Sequence, residues 1–277
     1  MRERAHETLL AIAIEAAAAG SACLRAHYGR LKNIRSKGAA GDLVTEADLA
    51  AEAAVLAVLK QRAPEIPVLA EESGGAEISE RGLLWCIDPL DGTTNFAHGY
   101  PIFATSVGLL DGQRPLLGCV DLPFLGEVFE GGAGLGARCN GEPIQVSETE
   151  TLSESLLVTG FGYDRRTLVD NNYAEFCALT DQTHGVRRGG AAAVDLVYTA
   201  CGRLDGYWER ALSPWDLAAG VAILEAAGGQ VSDYDRAPFS IHEGRLLATN
   251  ARIHDALSAA LCACSPLDPS AYRRSAE

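Results

Sequence analysis

The sequence predicts an α+β half followed by an α/β half, packed as two subdomains that meet near residue 150. Three observations carry this. Two helix-like stretches lead the chain, β-like segments joined by turn signals fill residues 83 to 143, and strands alternate with helices from about 150 onward. With 277 residues, 48% apolar and 22% charged, the chain has the balance of an ordinary globular protein with a sizeable core.

The first helix is expected over residues 5–28, with Leu9, Ile12, Ala13, Ala16 and Ala19/Gly20 as its small-residue face. Glu7 and Glu15 interrupt what would otherwise imitate a secretory leader, and no stretch of 18 uninterrupted apolar residues occurs. Neither export nor a membrane span is therefore expected. A polar segment from Lys32 to Gly41 follows, carrying Lys32, Arg35 and Lys37. Thr45 and Asp48 have the spacing of a capping box at the start of a second helix, which Pro64 and Pro67 end.

Val68-Leu69-Ala70 reads as a short strand that runs into Glu71-Glu72-Ser73. A second apolar run, Leu83 to Ile87, stops on Asp88, and Asp91-Gly92-Thr93-Thr94 follows the turn at Pro89. Ala104–Leu110 and Leu116–Asp121 flank Asp111-Gly112 as a hairpin, which residues 127–130 and the Asn140-Gly141 turn extend into a meander. The glycines from 131 to 136 lack the spacing of a nucleotide-binding loop and read as turns between strands. In the second half, strands are expected at 156–160, 204–208, around 231 and at 246–249. Helices are expected at 171–180, 191–201, 215–227 and 251–263.

The net charge of −14 argues against a broad surface for nucleic acid or anionic membrane, so a phosphate substrate would need bound cations or a local Lys/Arg group. Eight cysteines without a C-x-x-C pair read as reduced thiols of a cytoplasmic protein. Two strands that end in acids suggest a cation site, and Ser213-Pro214-Trp215-Asp216 places a further Asp at the start of a helix. If Glu71, Asp88, Asp91 and Asp216 converge, an all-oxygen set without His or Cys selects Mg²⁺. Two such ions could clamp a phosphate, with Asp88 as the shared ligand and the Leu90 carbonyl beside it. The amides at Gly92 and Thr93 suit phosphate oxygens. Thr93, oriented by a carboxylate such as Asp48, suits a water-positioning role, so no protein nucleophile is required. Asp91→Asn is expected to abolish turnover with little loss of folding.

Asp88-Pro89-Leu90-Asp91-Gly92-Thr93-Thr94-Asn95-Phe96 resembles the first signature of the inositol monophosphatase family. Trp215-Asp216-Leu217-Ala218-Ala219-Gly220, with Glu225-Ala226-Ala227-Gly228-Gly229 behind it, resembles the second. Lys37, the segment Asp42 to Asp48, and Glu71-Glu72-Ser73 agree as well, so the resemblance runs from about residue 30 to 250. It implies a layered α-β-α-β-α sandwich, homodimers, lithium sensitivity and two to three Mg²⁺ ions. Glu71, Asp88 and the Leu90 carbonyl would hold the first ion and Asp88, Asp91 and Asp216 the second, with Glu71 and waters holding a weaker third. Glu209, seven residues before Asp216, would contact substrate hydroxyls. Gly190-Ala191-Ala192 matches the family's substrate segment, except that Ala191 lacks the usual hydroxyl.

The expected activity is hydrolysis of inositol 1-phosphate or a similar small polyol phosphate. Histidinol phosphate, fructose 1,6-bisphosphate and 3′-phosphoadenosine 5′-phosphate are the alternatives within the family. A regulatory binding protein without catalysis is the alternative of another class.

Overall fold

The computed structural model describes residues 2–31, 34–36 and 43–267. The polar-segment residues Lys32, Lys37 and Asp42, and the chain after Leu267, lie outside the described residues. The chain opens with α1 (Arg2–His27), β1 (Ile34–Ser36), β2 (Leu43–Thr45), α2 (Glu46–Arg62), β3 (Val68–Ala70) and β4 (Gly74–Gly75). It continues with β5 (Leu83–Asp91), α3 (Thr93–Ala97), β6 (Ala104–Asp111), β7 (Arg114–Leu122), β8 (Glu127–Gly132), β9 (Gly136–Cys139) and β10 (Glu142–Pro143). The second half holds β11 (Leu156–Thr159), α4 (Tyr173–Gln182), β12 (Gly185–Arg188), α5 (Ala192–Ala200) and β13 (Gly206–Glu209). It ends with α6 (Pro214–Ala226), β14 (Gln230–Ser232), β15 (Leu246–Thr249) and α7 (His254–Ala263).

Two sheets make the frame. The larger runs β10-β9-β8-β7-β6-β5-β3-β4 and the smaller β12-β11-β13-β15-β14, while β1 and β2 form a separate hairpin. Helices α1 and α2 pack on one face of the large sheet, α5 and α6 lie between the two sheets, and α4 and α7 contact β12 and β15 of the small sheet. The result is a five-layer α-β-α-β-α sandwich. Three apolar clusters fill the layer boundaries, the central one spanning both faces of α5 and α6. Ile87, Val107 and Leu109 meet α1 and α2; Leu110, Val120, Leu196 and Leu217 fill the centre; and Leu157, Trp208 and Leu257 close the third layer.

The meander from β5 to β10 falls where the turn signals placed it. The β1–β2 hairpin, β4 and α3 were not expected, and three further differences bear on the packing. The strand β5 does not stop at Asp88 but continues to Asp91, with a register shift against β6 between the two acids. The Thr105 hydroxyl donates to the Pro89 carbonyl at 3.1 Å, so the proline, which cannot donate, is accommodated at a bulge. Strand β12 was not expected, because Gly185-Val186-Arg187-Arg188 has neither length nor alternation. Its partner β11 supplies the register, Leu156 to Gly185 through Thr159 to Arg188. The buried face of α1 is rotated toward Ala17 and Leu24, both fully buried. By length and composition alone Arg4–His27 could cross a membrane, at a mean hydropathy of 1.6. Its apolar stripe is instead spent against α2, β6 and β7.

His254, at the start of α7, is buried and bonded at both ring nitrogens. Ser232 Oγ lies 2.9 Å from Nε2 and Thr249 Oγ1 2.9 Å from Nδ1. Because Ser232 Oγ donates to the Asp233 carbonyl, it accepts from Nε2–H, and Nδ1 accepts from Thr249. Protonating Nδ1 would cost the bond donated by Thr249, and burial holds the pKa below its ordinary 6.5. The contribution is thus complete above the unfolded value and is lost as pH falls through the lower folded value. His254→Asn should be about 1–3 kcal/mol less stable than wild type at pH 8. In urea melts that gap should narrow below about pH 6.5.

Candidate active site

Backbone pairing places the acids before any side chain is considered. Glu71 follows β3, the parallel neighbour of β5, and its N–H donates to the Ile87 carbonyl at 3.2 Å, one residue before Asp88. Asp88 and Asp91 bracket the bulge in β5. Asp216 arrives from the far side on the first turn of α6. That helix reaches the sheet because the strands facing it are bare: a Cβ at Gly108 would stand 2.6 Å from Ala218 Cβ, and one at Gly118 2.5 Å from Ala219 Cα. The Leu217-Ala218-Ala219-Gly220 run is therefore a close-packing surface that carries Asp216 inward.

A cleft of about 420 Å³ is lined by Glu71, Asp88, Leu90, Asp91, Gly92, Thr93, Gly190, Ala191, Ala192, Glu209 and Asp216. Of the residues expected at the site, Asp48 alone does not line it. Asp48 lies underneath, fully buried, and is joined to the cleft through Thr93. Thr93 Oγ1 lies 3.0 Å from Asp48 Oδ1 and 3.0 Å from the Leu90 carbonyl. The other carboxylate oxygen of Asp48 closes the cap of α2, accepting from Thr45 N at 2.8 Å and Thr45 Oγ1 at 2.6 Å. Capping and a place at the site are compatible, because the two oxygens face different partners. At Gly92, φ of +89° lets the chain turn from β5 into α3 without strain.

The acids are held by backbone N–H groups. Asp88 Oδ1 accepts from Leu90 N at 2.9 Å, and Asp216 Oδ2 from Ser213 N at 2.7 Å. Asp91 accepts three bonds, from Ala192 N at 3.0 Å, Ala193 N at 2.9 Å and Val194 N at 3.3 Å, so it caps α5 from across the chain. This corrects the expectation for Asp91→Asn. The amide would lose acceptor capacity for orphan helix donors, so the substitution should cost stability as well as any activity.

Burial pushes Asp88 well above the usual carboxylate range, and the charges of Glu71, Asp91 and Asp216 push it further. Asp216 is raised in the same way, by burial and then by Asp91 and Glu71 against the Ser213 N–H bond. Burial lifts Asp91 to about 7 in spite of its three N–H bonds. Asp48 is raised by burial against the bonds from Thr45 and Thr93. Burial also raises the Cys86 thiol above its ordinary range, and Cys86 is fully buried and does not line the cleft. Acids crowded this way call for cations. The donors are carboxylates and one carbonyl, a hard-oxygen set suited to Mg²⁺. Among the described residues no three acidic, His or Cys side chains close on a common point. The fit to divalent ions rests on the donor chemistry of the set.

The opposite wall stands at the carboxyl ends of β11, β12 and β13, three parallel strands in register at Thr159, Arg188 and Trp208. Strand ends of this kind are the usual ligand crevice of parallel sheets. Glu209, at the end of β13, turns its carboxylate against Gly160, where a Cβ would overlap it. Tyr207 Oη donates to Glu209 Oε2 at 2.6 Å, and burial raises the acid to about 7.

The model of the inositol monophosphatase family matches residues 5–266. The chain belongs to the inositol monophosphatase family. It is 54% identical to an inositol-1-monophosphatase of Synechocystis over 93% of this chain and 90% of that protein. It is 43% identical to the Nus factor SuhB of Pseudomonas aeruginosa, over 79% of this chain and 82% of that protein. The solved structure of an inositol monophosphatase from Anabaena superposes with a TM-score of 0.86 at 52% identity, covering 96% of this chain and 99% of that one. As a member of this metal-dependent family, the protein is a phosphatase that hydrolyses phosphate monoesters.

Several residues at this cleft were missed from sequence, among them Arg165, Arg188 and, beside the lining, Asn95. Arg165 and Arg188 line it. Asn95 ties its two walls: Nδ2 donates to the Ile102 carbonyl at 2.7 Å and to the Gly189 carbonyl at 3.0 Å. Its place in the first signature was the only signal, since the Gly189 partner is 94 residues away. Asn95→Ala should leave the protein folded but lower kcat/KM about 10–100-fold, because a small shift of the cleft backbone at Gly189 and Gly190 is costly to a positioned substrate. Steady-state kinetics beside a thermal melt checks this. Full activity would show that the walls hold their spacing without the tie.

Proposed function

We propose that the protein is a Mg²⁺-dependent phosphatase acting on inositol 1-phosphate or a similar small polyol phosphate. The observation that carries the proposal is one cleft with acids from both halves of the chain on one wall and the Glu209 carboxylate on the other. Glu71, Asp88 and the Leu90 carbonyl would hold one ion, Asp88, Asp91 and Asp216 a second, and Glu71 with waters a third. Bound there, the cations supply neutralisation of phosphate charge and acidification of water.

The chain's own groups do the rest. Gly92 and Thr93 offer backbone N–H groups to the phosphate oxygens. Thr93 Oγ1 has one proton and two acceptors in reach, Asp48 Oδ1 and the Leu90 carbonyl, so its lone pairs remain for a water proton. Asp48 receives that proton through the Thr93 hydroxyl. Glu209 accepts from substrate hydroxyls and so orients the ring, a task for which Tyr207 fixes its rotamer. Gly190, Ala191 and Ala192 approach the same ring as backbone. Without a hydroxyl at Ala191, Glu209 carries more of the orientation.

In this reading the division near residue 150 separates labour, with most candidate ligands before it and Asp216 and the substrate contacts after it. We place the protein in the cytoplasm as a homodimer.

The test is phosphate release from inositol 1-phosphate, histidinol phosphate, fructose 1,6-bisphosphate and 3′-phosphoadenosine 5′-phosphate, compared by kcat/KM with and without Mg²⁺. Mg²⁺ should raise Tm and support turnover, with inositol 1-phosphate preferred. Asp88→Asn should lower kcat by at least about 10²–10³-fold, the usual size of a lost charge-stabilising group. Turnover within a few-fold of wild type would remove Asp88 from the assignment, and no release from any ester would sink the proposal.

A further inference from the structure

Arg210 follows Glu209, the last residue of β13, and is only 8% exposed. A guanidinium taken out of water must be paired, and here a single neighbouring segment supplies the partners. Nη1 donates to both oxygens of Asp164, at 3.1 and 3.2 Å, and Nη2 donates to Asp164 Oδ1 at 3.1 Å. Nε donates to the Asp170 carbonyl, so one side chain holds the segment at two points. Arg245 adds a tie, gripping Asp170 at 3.0 Å and Asp233 at 3.2 Å.

The segment held in this way is cleft wall. Phe161, Tyr163 and Arg165 line the cleft from the one-turn helix Tyr163–Arg166 and its approach, while Glu209 and Ala211 line it from the end of β13. The two stretches meet at Gly162. A Cβ there would stand 2.6 Å from Asp164 Oδ1, 3.1 Å from Ala211 Cβ and 3.3 Å from Arg210 Nη1. Ala211 has φ of +60°, a left-handed conformation that an alanine keeps only where its surroundings impose it. The carboxylates of Asp164 and Asp170 are 39% and 45% exposed, so without Arg210 they would rehydrate rather than remain as bare buried charges. A buried guanidinium bonded to exposed acids fixes the exposed partner in place.

We infer that Arg210 is a positioning residue for substrate selectivity, locking the Tyr163–Arg166 turn to the strand end that presents Glu209. The alcohol side of the ester then meets one rigid surface. The inference rests on the polyol phosphatase reading above, in which Glu209 accepts from substrate hydroxyls. Arg210 itself touches no substrate and acts through Asp164.

The experiment measures kcat and KM of the full-length Mg²⁺-loaded wild type, Arg210→Met, Arg210→Lys, Asp164→Ala and the Arg210→Met/Asp164→Ala double variant. Thermal melts check folding. The esters are inositol 1-phosphate and 4-nitrophenyl phosphate, which has no hydroxyl for Glu209 to meet. Arg210→Met should raise KM for inositol 1-phosphate about tenfold or more, with kcat within about threefold of wild type, as loss of uniform binding requires. KM for 4-nitrophenyl phosphate should stay within about twofold. The lysine variant separates position from charge, because the charge of Arg210 also opposes the burial that raises Glu209. Lysine keeps that charge and loses the planar fork, so Arg210→Lys should behave like Arg210→Met. Asp164→Ala cuts the same clamp at its exposed end and should raise KM in the same direction, whether or not Arg210→Met folds. The double variant should be no worse than Arg210→Met alone. Wild-type KM in Arg210→Lys or in Asp164→Ala overturns the inference and leaves the phosphatase reading intact. So does an equal rise for both esters, or a double variant whose losses add. Turnover of 4-nitrophenyl phosphate alone by the wild type removes the polyol reading and the inference with it, and inactivity on both esters overturns the phosphatase reading itself.

Discussion

Everything in this site follows from holding carboxylates together where water cannot screen them. Asp88 and Asp91 are buried and Asp216 is half-buried, and the charges of Glu71, Asp91 and Asp216 raise the cost of ionising Asp88. Such a group persists only if the scaffold over-determines it. Here the restraint is backbone: the Leu90 N–H on Asp88, the Ser213 N–H on Asp216 and three N–H groups of α5 on Asp91. These bonds fix each oxygen without cancelling its charge, which is the condition a cation site needs. Side-chain cations in the same positions would have stabilised the fold and filled the site.

The fold supplies that restraint through two close approaches. Parallel pairing of β3 with β5 brings Glu71 beside Asp88, and α6 rests on glycine positions of β6 and β7 so that its first turn reaches the same point. A methyl group at Gly108 or Gly118 would lift α6 and carry Asp216 away. The small residues of the second signature thus set a distance, and that distance gives the neighbouring aspartate its role.

Much of this was legible in the sequence, because the signals were local. The capping boxes at Thr45 and Ser213, the Asp111-Gly112 hairpin and the strands ending in acids each depend on a few neighbouring residues. What was not legible depends on partners far along the chain. Asp91 is bonded to residues 101 to 103 positions away, so nothing near it in sequence marks it as a helix cap. Strand β12 is short and charged, and it is a strand only because β11 lies beside it. Without β12 there was no place in the cleft for Arg188. Helix α6 is buried nearly all round, so periodicity could announce a helix but could not say which side faced the large sheet.

The division of the cleft explains why its two walls differed in legibility. The acid wall is tied to sheet geometry, through the β3–β5 pairing and the bulge between Asp88 and Asp91. The far wall consists of strand ends and the turn after β11, where side chains can change without moving the frame. The two are not independent, because Asp91 bonds the start of α5 and Asn95 bonds the Gly189 carbonyl just before it. Whatever orders the acid wall also orders the start of α5, so the two halves of the cleft share one backbone restraint.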